Sequence, residues 1–200
     1  MRDTILVPHV ACHACTIGCS RWVRISEGPY QMDAAGPEYE TLGALGSMCL
    51  VDDLEAVSYA AHLCNIYGMD TISCGSTIAF AMECYEKGLL TREDTGGIEL
   101  TWGNKEALVK LVEQIALGEG IGRLLGQGTR RVAAQLGRGA ADFAVHVKGL
   151  EIPMHDPRAF FSWAVNYATS PRGGCHLHGM SGWYENRQDP CPEWGLTGYY

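Results

Sequence analysis

The chain has 200 residues, a formal net charge of −8, 46% hydrophobic residues and 19% charged residues. This composition supports a packed core and excludes a disordered chain. The acidic charge, without a run of Lys or Arg, excludes a nucleic-acid surface, and no apolar run approaches the ~20 residues that cross a bilayer. We therefore expect neither a nucleic-acid partner nor a membrane partner.

Cysteine usage indicates a reducing compartment. The chain contains nine cysteines, an odd number, together with long helical patterns. A secreted disulfide scaffold is usually shorter, richer in loops and even in cysteine. We expect a cytoplasmic protein in which some thiols bind metal and others pack in the core.

A cysteine-rich loop follows a short apolar segment at residues 4–10. Cys12, Cys15 and Cys19 follow the pattern C-x2-C-x3-C, which lets three thiolates reach one metal centre. A [4Fe–4S] cluster takes four cysteine ligands, so the fourth ligand would have to come from elsewhere. The spacing alone leaves an iron–sulfur cluster and a zinc site as alternatives.

A hairpin is predicted after this loop. Residues 21–25 alternate as a strand does, and residues 28–30 provide the turn of a hairpin. Gly36 and Pro37 then predict a turn, followed by acidic residues in the first turn of a helix, where the helix dipole favours them. Residues 143–147 predict a further short strand.

Apolar periodicity, capping residues and terminal glycines predict five helices. The first follows Asp53 and ends at Gly68, the second is capped by Asp70, and the third is capped by Asn104. The second ends at Gly88, and the third, fourth and fifth cover residues 106–117, 124–136 and 158–167. Since no βαβ alternation is present, the sequence predicts a mainly α fold with a minor β-hairpin.

A series of motifs in order along the chain resembles the tungsten-dependent aldehyde ferredoxin oxidoreductase family. Each motif alone is weak, but their order and spacing extend through nearly the whole chain. The motifs are the cysteine loop at 12–19 and residues 36–41, 65–73, 78–83, 146–151, 155–158, 167–170 and 172–177.

The resemblance implies a multihelical fold like domains 2 and 3 of that family. Residues 1–150 would form a region like domain 2 that carries the cysteine loop, and residues 151–200 the truncated start of a region like domain 3. The pterin-cradling first domain and the fourth cluster cysteine are expected outside this chain, since neither Cys175 nor Cys191 stands in the family's motif. The isolated chain is therefore expected to be inactive.

The resemblance assigns the cysteine loop to a [4Fe–4S] cluster, with Cys12, Cys15 and Cys19 as ligands. The cluster would relay electrons between the tungsten site and ferredoxin. The alternative for these residues is a zinc site completed by a histidine or a distant cysteine.

The resemblance also assigns Asn65, Asp70 and Arg172 to a tungsten (or molybdenum) bis-pterin cofactor. Asn65 replaces an aspartate of the family, so it can accept a hydrogen bond but lacks the charge. Glu38, or Glu40 in its place, and His176 would form the acid–base pair that activates water.

The implied reaction is oxidation of an aldehyde to a carboxylic acid with ferredoxin as electron acceptor, in a homodimer or a subunit of a larger complex. A first alternative is the catalytic subunit of a tungsten-dependent aryl-CoA reductase of the benzoyl-CoA type, in which Cys74 would ligate tungsten and the substrate would be an acyl-CoA. Cys74 is otherwise a helix-packing thiol. A second alternative is a non-catalytic helical module that binds zinc or a cluster.

Overall fold

The computed structural model describes residues 4–179 together with Gly182 and Glu185, and only the backbone of Pro8 and His9. Helices dominate this part of the chain and the strands are short, which confirms the predicted mainly α fold. None of the described helices is long and apolar enough to cross a membrane. The helices are α1 (Tyr39–Thr41), α2 (Leu54–Tyr67), α3 (Thr71–Glu86), α4 (Lys105–Leu117), α5 (Gly122–Leu125), α6 (Thr129–Leu136) and α7 (Phe161–Thr169).

The strands form one small sheet and one short hairpin. In the sheet the order is β1-β2-β3 and both pairs are antiparallel, which confirms the predicted hairpin. Its inner face has a core of its own, made of Ile5, Val23, Ile25 and Met32. The strands are β1 (Leu6–Val10), β2 (Ser20–Ile25), β3 (Met32–Ala35), β4 (His146–Val147) and β5 (Leu150–Glu151), the last two pairing with each other.

The three long helices begin at the capping residues that the sequence predicts. The side chains of Asp53, Asp70 and Asn104 each accept a backbone N–H two or three residues further along. Gly68 and Gly118 end α2 and α4 with φ angles of 70° and 65°, the left-handed conformation that glycine adopts without strain.

Two predicted helices differ from the structure. The helix predicted at 124–136 is divided into α5 and α6, because Gly128 adopts a φ of 83° that a continuous helix does not allow. The helix predicted at 158–167 begins later, at α7, because Asp156 and Arg158 form a turn closed by hydrogen bonds between their side chains. The strand predicted at 143–147 is likewise shorter, and only β4 is extended.

Helix α3 lies at the centre of the main core. Nine of its 16 residues are buried, and it packs against α1, α2, α4, α5, α6 and β5. Residues 42–46, a π-helical turn, lie directly against Gly75, where an added Cβ would come within 2.6 Å of the Ala44 carbonyl. This close contact fixes the position of α1, which precedes the π-helical turn, relative to the N-terminal half of α3.

The Gly75 contact predicts the effect of a substitution. Gly75→Ala should lower the free energy of unfolding by about 1–3 kcal/mol or more, because its methyl group would collide with backbone atoms that cannot rotate away. Chemical denaturation measures the change. Glu86→Ala, at the exposed end of the same helix, is the matched control and should stay within about 0.5 kcal/mol of wild type. Equal stability of the two variants would contradict this packing.

Candidate functional site

Three chain segments that are distant in sequence meet beside the N-terminus of α3. The backbone N–H of Met154 donates to Glu40 Oε2 at 2.7 Å, and the Tyr39 hydroxyl donates to the Met154 carbonyl at 2.9 Å. The hydroxyls of Thr41 and Thr71 are 2.8 Å apart and join α1 to the first residue of α3. These bonds hold α1 between α3 and the segment around Met154.

Glu40, His155 and His176 form the Glu–His–His cluster at this junction. Glu40 Oε1 lies 2.5 Å from His155 Nδ1 and 3.6 Å from His176 Nε2. Glu40 Oε1 and His155 Nδ1 are both buried, and neither atom makes a hydrogen bond of regular geometry. The two atoms are therefore in close polar contact without a well-aligned hydrogen bond. Buried polar atoms in this state are rare, and a catalytic role or a bound group is among their explanations.

Aromatic rings hold the two imidazoles in place. The His155 ring stacks on the His176 ring with a centroid distance of 5.3 Å and an interplanar angle of 16°. Tyr39 and Trp163 pack against His155 at centroid distances of 5.1 Å and 5.5 Å. The Tyr167 hydroxyl donates to the His155 carbonyl at 3.1 Å. The cluster is therefore surrounded by side chains from α1 and α7.

His176 is biased towards its neutral form. Burial lowers the pKa of His176 below its ordinary value, and it outweighs the carboxylate of Glu40, which raises that pKa. His155 and Arg172 lower the pKa further, whereas Asp70 raises it. A neutral imidazole near pH 7 can accept a proton.

An open cleft of about 200 Å³ adjoins the cluster. Asp70, Arg172 and His176, three of the residues selected from the sequence, line this cleft together with Cys175. Asp70 uses Oδ2 to accept the Ser73 N–H at 2.7 Å, so Oδ1 remains for a ligand. Arg172 Nη1 lies 3.6 Å from Cys175 Sγ. A cationic group and a carboxylate oxygen are thus available to a polar ligand in the cleft.

Two other residues selected from the sequence lie elsewhere. Asn65 is exposed near the end of α2 and is not among the residues that line this cleft. Glu38 forms an ion pair with Arg21 at 2.6 Å, and its side chain is 61% exposed. Of the two glutamates that the sequence offered, Glu40 faces His176, whereas Glu38 does not.

The cysteine loop is largely exposed. Backbone N–H groups of Gly18 and Ile17 bond to Cys15 and lower the pKa of its thiol. Cys12 and Cys19 are exposed free thiols. Within the described residues, no three Cys, His, Asp or Glu side chains converge as a metal site. The three thiols thus match a soft metal centre in chemistry, but the loop does not present a preformed site.

Cys74 lies away from the Glu–His–His cluster. It lines a different cleft, of about 310 Å³, that shares only Asp70 and Ser73 with the first. A hydrogen bond with Cys64 and burial raise the pKa of the Cys74 thiol. These contacts fit a packing thiol between α2 and α3. All eight cysteines in the described part of the chain are free, and Cys191 lies outside that part.

Sequence reasoning did not select His155, although the motif at 155–158 includes it. Its partner Glu40 precedes it by more than a hundred residues, so no local spacing links the two. Trp163 and Tyr167 were also missed as site residues. Their separation of one helical turn, on the apolar face of a predicted helix, is the only signal that the sequence carries.

The lowered pKa of His176 predicts a pH-dependent stability. The unfolded chain binds this proton more tightly than the folded chain, so the contribution of His176 to the free energy of unfolding falls as pH drops through 6.5, the ordinary value. His176→Asn should remove part of the loss of stability seen between about pH 7.5 and 5. Urea denaturation across this range measures the difference, with His62→Asn on α2 as the control. A pH dependence unchanged by His176→Asn would contradict the assignment.

Comparison with known proteins places the chain in a family. The family model described as "Aldehyde ferredoxin oxidoreductase, domains 2 & 3" matches residues 1–195. The tungsten-containing aldehyde ferredoxin oxidoreductase of Pyrococcus furiosus is 42% identical over 178 residues, which cover 88% of this chain and 29% of that protein. The enzyme of the same description from Thermococcus kodakarensis is 41% identical with the same coverage. The chain spans less than a third of the length of these relatives.

A solved structure has a similar fold. The active-site complex BamBC of benzoyl coenzyme A reductase with 1,5-dienoyl-CoA has a TM-score of 0.70 and 26% identity, over 85% of this chain and 25% of that chain. The matching family model extends over nearly the whole sequence and includes both the cysteine loop and the Glu–His–His cluster. The chain therefore belongs to the aldehyde ferredoxin oxidoreductase family, in the region of that family's domains 2 and 3.

Proposed function

We propose that this chain is part of a tungsten- and iron–sulfur-dependent enzyme that oxidises aldehydes to carboxylic acids and passes the electrons to ferredoxin. The Glu–His–His cluster beside the cleft, in a chain of this family, is the observation that carries the proposal. The two P. furiosus and T. kodakarensis relatives are aldehyde ferredoxin oxidoreductases, which supports the same reaction.

The cofactor would be a tungsten (or molybdenum) bis-pterin bound at the cleft. Asp70 Oδ1 would accept hydrogen bonds from pterin N–H groups, and the Arg172 guanidinium would pair with phosphate or pterin oxygen atoms. Glu40 Oε1 is buried and makes no hydrogen bond of regular geometry in the described residues, which is compatible with a polar group bound nearby. Asn65 is exposed at the end of α2 and does not line the cleft, so a contact with the cofactor would have to form outside the cleft. When bound, this cofactor would supply the redox chemistry that takes up the two electrons of the oxidation.

The Glu–His–His cluster would accept a proton released in this reaction. Conversion of an aldehyde and one water into a carboxylic acid releases two electrons and two protons. Neutral His176 can take a proton from the water, and the Glu40 carboxylate stabilises the imidazolium that results. Tyr39 and Trp163 pack against His155 and would help to keep the cluster in place during this proton transfer.

The cysteine loop would hold the electron-transfer centre. Cys12, Cys15 and Cys19 would ligate three irons of a [4Fe–4S] cluster, with the fourth ligand supplied from outside these 200 residues. The N–H groups that lower the pKa of Cys15 favour its thiolate form, which is the form that binds iron. Zinc bound by these three cysteines is the alternative that metal analysis would reveal.

We also propose a domain boundary, a cellular compartment and an oligomeric state. Residues 1–150 would be the domain-2-like region and residues 151–200 the start of the domain-3-like region. The protein would act in the cytoplasm, as a homodimer or as a subunit of a complex. Eight free thiols in the described residues support a reducing compartment.

Reduction of an aryl-CoA is the second candidate function, because the benzoyl coenzyme A reductase complex shares this fold at 26% identity. Under this candidate Cys74 would ligate tungsten, and an acyl-CoA would replace the aldehyde. The bond of Cys74 to Cys64 and its place in the other cleft favour aldehyde oxidation. Loss of tungsten from a Cys74→Ser holoenzyme, together with acyl-CoA turnover by wild type, would reverse this preference.

The position of Glu40 predicts which glutamate supports turnover. In the holoenzyme, Glu40→Gln should lower kcat for aldehyde oxidation on the order of 10²–10⁴-fold, because the carboxylate beside His176 is lost. Glu38→Gln should stay near wild type, since that side chain is exposed and paired with Arg21. The assay follows ferredoxin reduction by aldehyde. A larger loss in Glu38→Gln than in Glu40→Gln would contradict the proposed roles.

A further inference from the structure

We propose that His155 is a positioning residue, which through Nδ1 orients the Glu40 carboxylate towards His176. This inference rests on the proposed function, since it assigns the third member of the Glu–His–His cluster. No sequence motif pairs His155 with Glu40, and the geometry alone points to the role.

Two adjacent residues hold the two oxygens of one carboxylate. The Met154 N–H donates to Glu40 Oε2 at 2.7 Å, and His155 Nδ1 lies 2.5 Å from Glu40 Oε1. The backbone bond alone would let the carboxylate group turn about its Oε2 contact. The second contact fixes the plane of the group, so that Oε1 lies 3.6 Å from His176 Nε2.

Packing fixes the direction of the His155 ring. The ring stacks on His176 and is bordered by Tyr39 and Trp163, while Tyr167 bonds to its backbone carbonyl. These contacts leave little rotational freedom about the Cα–Cβ and Cβ–Cγ bonds of His155. Burial raises the pKa of Tyr167 above its ordinary value, so its hydroxyl remains a donor to that carbonyl at all moderate pH values.

The same arrangement determines the tautomer of His155. At 2.5 Å from a carboxylate oxygen, an Nδ1 without a proton would place two lone pairs against each other, so we assign the proton to Nδ1. Removal of this N–H would leave Glu40 Oε1 buried, with His176 Nε2 at 3.6 Å. A carboxylate in that position attracts a proton on His176 more strongly.

The charged groups around His176 fix the direction of the expected change. Glu40 and Asp70 raise the pKa of His176, whereas His155 and Arg172 lower it, after burial as the largest cause. Loss of the His155 imidazole removes one lowering contribution and frees the Glu40 carboxylate. The pKa of His176 should therefore rise, and a larger fraction of His176 should be protonated and unable to accept a proton near neutral pH.

Two substitutions separate the N–H group of His155 from its ring. His155→Phe keeps an aromatic ring for stacking but has no Nδ1 donor. His155→Asn loses the ring, but its amide nitrogen can stand close to the place of Nδ1. His62→Asn, on α2, is the control for removal of a histidine from the same chain.

In the holoenzyme, His155→Phe should lower kcat on the order of 10–100-fold with little change in KM for aldehyde, because the acid–base pair is misaligned while binding is kept. The acid limb of its kcat/KM profile should move to higher pH. His155→Asn should recover part of kcat and move the limb back towards wild type. A wild-type pH profile in His155→Phe would overturn the proposal. A kcat in His155→Asn no higher than in His155→Phe would also overturn it.

A measurement on the wild-type protein needs neither activity nor a variant. Nitrogen NMR of histidine-labelled protein distinguishes the two tautomers, and it should show His155 protonated at Nδ1. Proton placement at Nε2 alone would overturn the inference even if both variants fail to fold. Failure of the proposed function would instead appear as a wild-type holoenzyme without tungsten or aldehyde turnover, which the tautomer does not affect.

Discussion

The N–H of Met154 donates a 2.7 Å hydrogen bond to Glu40 Oε2 and joins residues that are 114 positions apart. The Tyr39 hydroxyl donates to the carbonyl of the same residue, so two adjacent residues of α1 are hydrogen-bonded to Met154. His155 follows directly and thereby reaches Glu40 Oε1. Because both carboxylate oxygens depend on this connection, the site forms only when the two halves of the chain have packed together.

Helix α3 provides the support for this connection. Its burial and the close contact of Gly75 with Ala44 hold α1 against its N-terminal half. Asp70 has two roles at this end, because one oxygen caps α3 and the carboxyl group lines the cleft beside His176. The helix that stabilises the core thus also places a carboxylate in the cleft next to the Glu–His–His cluster. A substitution that moves α3 would be expected to affect both stability and the site.

The last described segment completes the site from the other side. Phe160 precedes α7 and has no side chain that can cap a helix, and Glu185 accepts the N–H groups of Phe161 and Ser162 instead. The Asn166 amide donates to the Cys175 carbonyl at 2.7 Å, which ties α7 to the loop that carries His176. The position of His176 is therefore set by side-chain contacts, and the loop itself has little regular backbone structure.

Local chemistry explains what the sequence could predict. Capping by Asp53, Asp70 and Asn104 and the apolar periodicity of α2 to α4 depend on residues only a few positions apart, and these predictions are confirmed. The helix predicted at 124–136 was wrong because the φ angle of Gly128 interrupts a pattern that is otherwise periodic.

The candidate site could be predicted only in part. The motifs selected Asp70, Arg172 and His176, which share a cleft. They could not choose between Glu38 and Glu40, two residues apart, because the choice depends on a bond to Met154 and on a salt bridge with Arg21 across the fold. The role of His155 could not be predicted either, because it depends on a contact with Glu40, which is distant in sequence.

The metal content of the holoenzyme, purified without oxygen, is the decisive test of the redox function. This function predicts tungsten (or molybdenum), about four irons with matching sulfide per chain, and a reduced-cluster signal in electron paramagnetic resonance. It also predicts that Cys15→Ser lowers the iron content while Cys84→Ser, a buried thiol on α3, does not. Zinc in the cysteine loop, with neither iron nor tungsten in the protein, would contradict the redox function and leave a structural module.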